Sequence, residues 1–475
     1  MRFPLKTALT FTTFILALVA WRHWKDHDKG IAPAIFAEAW QLRLHRSPAA
    51  PVVPLPQQEQ PLEATETTHT NQTVPRPALS TYLFDDSGAL DSFFGALGQL
   101  NAPASDKARH VAILHYGDSP TTADLITGDV RALLQQRFGD AGHGYLLIAK
   151  PWAWYGHRDT DITGHGWTIS TAVGKMRADT YGTGGASFQG AAGGASSHIT
   201  LKDAAQSSME LSYLAQPEGG SVLVTADDAA GAGQPVATIS TASETREPAW
   251  KSVELPEGTK AVDIKAGTGH VELFGETFEK AQRGVLYDSL GLNGASTTVL
   301  SRGFNPEIWA AELRHDAPAL VIINYGTNES SFGSFVDKQY EGELRTAIGR
   351  IRNALPNVSI LVMSPMDRGE RSGIDEIVTM GTIPRIVAIQ KRVAADTRCA
   401  FFDTFNAMGG DGTMSRWYTG KPRLVAADLI HPTPQGASII AQIFVKNLMV
   451  GFDAYKPHPA TAPVTDDGTR QAVQP

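Results

Sequence analysis

Short apolar runs alternating with amphipathic stretches set the rhythm of the chain. Val111-Ala-Ile-Leu-His-Tyr116 runs into a Gly-Asp turn, and a run of that length bounded by turn residues predicts a buried strand. Ile126, Val130, Leu133 and Leu134 then recur at helical spacing until Gly139, a stop signal. The alternation resumes at Ala319-Leu-Val-Ile-Ile-Asn324, with a helix predicted around Glu341 to Ala354. Val358 to Met363 predicts a third strand, followed by a helix around Ile383 to Ala395. Ala400-Phe-Phe-Asp403 predicts a fourth strand and Pro434 to Val450 a closing amphipathic helix. This order predicts a parallel sheet covered on both faces, with functional residues at the carboxyl ends of its strands.

Between about Trp167 and Lys280 the helical spacing disappears. Gly182 to Gly194 holds six glycines in 13 residues and is expected to be a loop. Short β-rich runs follow at Met209–Leu214, Ser221–Thr225, Ala237–Ser240, Ala261–Lys265 and His270–Phe274, with Gly- and Pro-containing turns between them. That spacing predicts a small all-β domain inserted into the α/β domain. The expected layout is residues 81–165 and 284–452 for the α/β domain, with 166–283 as an inserted β-sandwich.

The ends differ from the body. Arg2 and Lys6 precede an uncharged, mostly apolar run from Thr7 to Trp21. At about 15 residues it is shorter than the roughly 20 that span a bilayer comfortably and suits the core of an export signal. Trp21-Arg-His-Trp24 follows where small residues would mark cleavage, so an uncleaved signal-anchor within residues 1–25 is favoured over a removed peptide. Either reading exports the rest. Residues 26–80 read as a linker, with seven prolines and no aromatic residue from Pro48 to Pro77, a composition that gives an extended tether. Residues 453–475 are expected to be a disordered tail.

Composition narrows the classes. The 475 residues are 42% hydrophobic and 19% charged, as in a globular chain. Forty-one Lys+Arg against 49 Asp+Glu leave a net charge of −8 and no basic run, which argues against a nucleic-acid partner. The single cysteine, Cys399, excludes an intramolecular disulfide and reads as a buried small hydrophobe.

Three constellations can carry chemistry. His115-Tyr-Gly-Asp-Ser119 places a serine hydroxyl at a strand-to-helix turn, where it could act as a nucleophile or simply cap the helix. Tyr325-Gly-Thr-Asn328-Glu329 follows the second strand; its Asn amide could donate to an oxyanion or shape an Asx turn. Asp428-Leu-Ile-His431 lets a carboxylate hold His Nδ1–H and free Nε2 as a base. No further His/Asp/Glu set with metal-ligand spacing accompanies it. All three fall at one edge of one predicted sheet and supply nucleophile, oxyanion donor and an oriented base.

At this point the chain resembles the SGNH (GDSL-type) hydrolase family. Gly117-Asp118-Ser119 matches its first block, Gly326-Thr327-Asn328-Glu329 its third (usually Gly-x-Asn-Asp), and Asp428 to His431 its fifth. Leu286 to Ala295 supplies the second-block glycine, at Gly294 or else Gly291. The inserted β region, the Asn-Glu pair and Phe138-Gly-Asp-Ala-Gly-His-Gly-Tyr145 look like the periplasmic peptidoglycan O-acetylesterases of the Ape type. Pro120 stands where those enzymes commonly have His.

The resemblance implies a three-layer α/β/α flavodoxin-like domain with an inserted sandwich similar to a carbohydrate-binding module. It implies a serine esterase acting on an O-acetylated cell-envelope glycan, foremost peptidoglycan, in the periplasm, where the N-terminal segment is expected to hold it at the inner membrane. Ser119 would be the nucleophile, His431 the base and Asp428 its orienter. The Ser119 and Gly294 N–H groups and the Asn328 amide would form the oxyanion hole, with no metal or organic cofactor. An O-acetyltransferase using the same residues is the alternative within that chemistry. A non-catalytic glycan-binding envelope protein is the alternative outside it.

Overall fold

The computed structural model describes residues 81–101, 110–173, 179–227, 233–373 and 376–456. The expected signal-anchor, the whole linker and most of the tail lie outside them. The organising element is a six-stranded sheet of β1 (Leu83–Phe84), β2 (His110–Gly117), β3 (Gly284–Gly291), β4 (Leu320–Asn324), β5 (Ser359–Met363) and β6 (Ala400–Phe402). Its spatial order is β1-β6-β5-β4-β2-β3. All pairs are parallel except β1 with β6. Setting β1 aside, the order is the flavodoxin-like one, and the chain reverses direction across the sheet between β2 and β4, where such sheets bind ligands.

Alternate side chains of each strand feed opposite layers. Val111 and Ile113 of β2, Leu320 and Ile322 of β4, and Leu361 and Met363 of β5 pack against α1 (Asp91–Leu100), α2 (Thr127–Phe138) and the closing helix Pro434–Ala454. Leu114, Tyr116, Val321, Ile323, Ile360 and Val362 face the other way. There they meet α3 (Pro306–Asp316), α4 (Tyr340–Ala354) and α5 (Ile383–Asp396). In α4 the buried residues Tyr340, Leu344, Ala347, Ile348 and Ile351 follow helical spacing. The closing helix, α6 (Pro434–Ala454), is apolar enough in length and composition to cross a membrane, but half of that apolar window is buried. Ile440, Phe444 and Leu448 of α6 are fully packed in the core, as Cys399 is.

The inserted region is a sandwich of two antiparallel sheets. One orders Gly233–Ser240, Ser221–Asp227, Ala261–Ala266, Ser196–Leu201 and Thr160–His165. The other orders Glu247–Glu254, Ser208–Ala215, His270–Glu279, Ala186–Ala191 and Thr168–Thr171, with Gly144–Leu146 added alongside His270–Glu279. Two of these strands precede residue 166, so the β region starts upstream of the expected boundary. The stretch Gly182–Gly194, expected as a loop, contains the strand Ala186–Ala191. Its glycines clear room for rings: a Cβ on Gly190 would lie 2.6 Å from Trp167, and one on Gly182 would lie 2.4 Å from Phe274.

The sandwich shares its core with the six-stranded sheet. Tyr116 at the end of β2 bonds through its hydroxyl to Thr183 Oγ1 (3.0 Å) and accepts from Trp309 Nε1 (3.0 Å). Glu312 of α3, fully buried, accepts from Thr183 N and Ser212 Oγ. Trp250 stacks on His315, whose Nε2 bonds Glu210.

Candidate functional site

Three loops and one turn converge at the carboxyl edge of the sheet. β2 ends at Gly117, and Ser119–Thr122 forms a single helical turn with Pro120 near its start, where proline is pre-organised. Ser119 caps nothing. Its Oγ instead lies 2.7 Å from His431 Nε2. His431 Nδ1 lies 2.6 Å from Asp428 Oδ2, while Asp428 Oδ1 accepts from the Ile430 and His431 N–H groups at 3.0 Å. Leu429 takes a left-handed φ of 62° and folds Asp428 back onto the imidazole. Ser119, His431 and Asp428 thus form one hydrogen-bonded relay.

The relay's electrostatics follow from that geometry. Partial burial opposes the charged form of Asp428, but the bonds from His431 and from the two N–H groups outweigh it and hold the carboxyl at about 2. The Asp428 hydrogen bond raises His431 above its ordinary 6.5, against its own desolvation. With Asp428 on Nδ1, the neutral tautomer leaves the Nε2 lone pair facing Ser119.

The second and third blocks meet beside the serine. Asn328 donates from Nδ2 to the Ala295 carbonyl at 2.8 Å and makes no capping bond in its own turn. One amide hydrogen is tied and the other is available. Of the two second-block glycines, Gly291 is buried and paired with Gly117, and a Cβ there would lie 2.0 Å from Thr122 N. Gly294 is exposed, with φ of 75° and open space around it. The N–H groups of Gly294 and Ser119 make no hydrogen bond among the described residues. Of the two, Gly294 has the open N–H and Gly291 is packed against Thr122.

Two carboxyls behind these loops carry roles that the motif reading did not assign. Glu329, buried, accepts from Thr297 N (2.7 Å), Thr297 Oγ1 (2.9 Å) and Gly326 N (3.1 Å), so it laces the Asn328 loop to the Ala295–Thr297 segment. Burial pushes Asp118 up to about 7, helped by the negative field of Glu329. The Asp118 charge near the serine is therefore smaller at neutral pH than that of an ordinary carboxylate. His115 is a core residue: its Nδ1 bonds Tyr287 OH at 2.6 Å, and burial lowers it to about 4. Arg368 also reaches the site, and no sequence motif singled it out.

An oriented serine and an oriented imidazole at the carboxyl edge of a flavodoxin-like sheet, with the Asn328 loop alongside, define the class: a hydrolase of the α/β/α type, fitted for acyl transfer. Residues 258–439 match the family described as GDSL-like Lipase/Acylhydrolase. That segment accordingly reads as a GDSL-like acylhydrolase domain, the chemistry of a carboxylic-ester hydrolase. The match begins late in the insertion, which separates Ser119 from the rest of its domain. Among solved structures, a peptidoglycan O-acetylesterase is 21% identical, covers 78% of this chain and 99% of its own, and superposes with a TM-score of 0.64. That shows the fold, insertion included. Weaker likenesses run to a putative GDSL-like lipase from Parabacteroides merdae (16% identity, 36% of this chain and 75% of that one, TM-score 0.28). Another is a carbohydrate esterase family 3 protein from Talaromyces cellulolyticus (17%, 37% and 74%, TM-score 0.27). No curated protein matches the chain by sequence.

Proposed function

We propose that the chain is a serine esterase that removes O-acetyl groups from a cell-envelope polysaccharide, foremost peptidoglycan, from a periplasmic position at the inner membrane. The observation that carries the chemistry is the relay from Ser119 Oγ through His431 to Asp428, at 2.7 and 2.6 Å, beside three donors with hydrogens to spare. The similarity to a peptidoglycan O-acetylesterase over nearly all of that protein supports the substrate. So does Trp154, 46% exposed, on a loop tied to the nucleophile turn by Gly156 N–H to Thr122 O. Its open face suits the C–H face of a sugar ring. The Thr7–Trp21 run and the proline-rich segment support the location.

In this reading Ser119 Oγ attacks the acetyl carbonyl while His431 Nε2 takes its proton, and Asp428 stabilises the resulting imidazolium. The Ser119 and Gly294 N–H groups and Asn328 Nδ2 receive the oxyanion. Collapse expels the sugar oxygen, which leaves with the proton from His431. Water, deprotonated by the same imidazole, then attacks the acetyl-enzyme and releases acetate. Brief reaction with p-nitrophenyl acetate and peptide mass mapping tests the site: an acetyl group on the Ser119 peptide is expected. Its appearance elsewhere would overturn the assignment. Transfer of that acetyl to an added glycan, rather than to water, would mark the chain as an O-acetyltransferase.

A further inference from the structure

β5 ends at Met363, and the chain then runs along the carboxyl edge of the sheet through Ser364-Pro-Met-Asp-Arg368 into the hairpin Gly369–Ser372/Glu376–Thr379. Asp367 anchors this stretch, accepting from Thr379 Oγ1 and Met414 N. The Arg368 side chain turns into the curl of the third block. Its Nη1 lies 2.7 Å from the Thr327 carbonyl, 2.9 Å from Ser330 Oγ and 2.8 Å from Ser331 Oγ. These acceptors flank Asn328 on both sides. The next N–H, of Gly369, donates to the carbonyl of Leu429 at 2.9 Å, inside the Asp428–His431 turn. One dipeptide therefore grips the loop that carries the oxyanion donor and the turn that carries the base.

We propose that Arg368 is a positioning residue for the ester hydrolysis: its side chain ties the Asn328 loop to the segment whose next N–H, of Gly369, holds the Asp428–His431 turn, and it places a fixed positive charge near both. This rests on the assignment of Ser119, Asn328 and His431 as the working groups. The charge has two opposed effects. It favours negative charge developing at the oxyanion hole, and it disfavours the imidazolium of His431. The charged and titratable groups facing His431 are Asp428 on its own turn, Asp118 after β2 and Arg368 after β5. The first two raise its basicity and Arg368 lowers it. A merely structural arginine would hold the loop without moving the titration of the base.

Arg368→Gln and Arg368→Lys in the full chain, assayed on p-nitrophenyl acetate across pH with thermal melts alongside, separate these roles. For Arg368→Gln we expect kcat to fall about 10–100-fold, as for a misplacement near one ångström, with KM nearly unchanged. Removing the cation also raises His431, so the acid limb of kcat/KM moves to higher pH. Arg368→Lys keeps the charge: its acid limb stays at the wild-type position and its kcat lies between Gln and wild type. An Arg368→Gln enzyme with wild-type kcat and acid limb overturns the inference. So does a kcat loss whose acid limb is unmoved in both variants. If Arg368→Gln does not fold, Arg368→Met takes its place: reduced kcat with the acid limb moved to higher pH supports the role, and an unmoved limb refutes it. Ser119→Ala on the same substrate keeps the two questions apart, because activity surviving there removes the site assignment itself.

Discussion

Replacing Asn328 with alanine should cost stability and rate together, in amounts the contacts allow to be worked out. In the resting protein Asn328 Nδ2 is the hydrogen-bond partner of the Ala295 carbonyl, at 2.8 Å, and Ala295 is fully buried. Truncation orphans that carbonyl, a loss of about 1–3 kcal/mol in folding free energy. The same truncation removes a pre-oriented donor. Losing one such donor typically costs about 10²–10³ in kcat, or roughly 3–4 kcal/mol of transition-state stabilisation. Because the amide acts on charge that exists only in the transition state, KM should change little. Asn328→Asp keeps the size but turns a donor into an acceptor facing both the Ala295 carbonyl and the oxyanion, so it should be slower still. Steady-state kinetics on p-nitrophenyl acetate, normalised to the folded fraction from a thermal melt, read both effects. A lowered Tm with kcat within a few-fold of wild type would reduce Asn328 to a staple between two loops.

Other consequences follow from the relay, the shared core and the buried acids. The acid limb of kcat/KM should titrate above pH 6.5, because Asp428 raises His431; Asp428→Asn should move that limb down and cut kcat by about 10²–10⁴, since the imidazole loses its orienting partner. A wild-type limb in that variant would remove Asp428 from the relay. Burial pushes Glu312 above the usual carboxylate range, so the folded state keeps a proton that the unfolded chain releases above about pH 4.5, and stability falls as pH rises from there. Glu312→Gln should therefore gain Tm relative to wild type above that pH; parallel melting curves would refute the buried-acid reading. Replacing residues 166–283 by a linker uncovers Tyr116 and Trp309, so the product should fail to fold. A soluble, active product would show that the two cores are separable.

Much of the α/β frame was legible because its strands are buried on both faces. Val111–Tyr116, Ala319–Asn324, Val358–Met363 and Ala400–Asp403 read as strands for that reason, and each supplies a strand of the central sheet. β3 was not read as a strand, because Tyr287, Asp288 and Ser289 interrupt its apolar pattern; their polar atoms are satisfied or neutralised by burial next to His115, Tyr145 and Thr127. The glycine-rich stretch misled because glycine also marks close approach of rings, and that partner is distant in sequence. Motif spacing located Ser119, Asn328, Asp428 and His431, and the structure brings Ser119, His431 and Asp428 into one relay, with Asn328 on the adjoining loop. Arg368 and the lacing by Glu329 were invisible as functions, since both depend on which loops the sheet order sets side by side. The choice between Gly291 and Gly294 likewise needed the contact of Gly291 with Thr122.

The most direct test of the account is acetate release from O-acetylated peptidoglycan by the full chain, with chemically de-O-acetylated peptidoglycan and the Ser119→Ala variant in parallel. The account predicts acetate from the acetylated polymer alone, with the Ser119→Ala rate at background. Release that persists in Ser119→Ala, or no release from the acetylated polymer by a chain that turns over p-nitrophenyl acetate, would contradict it, the first at the nucleophile and the second at the substrate.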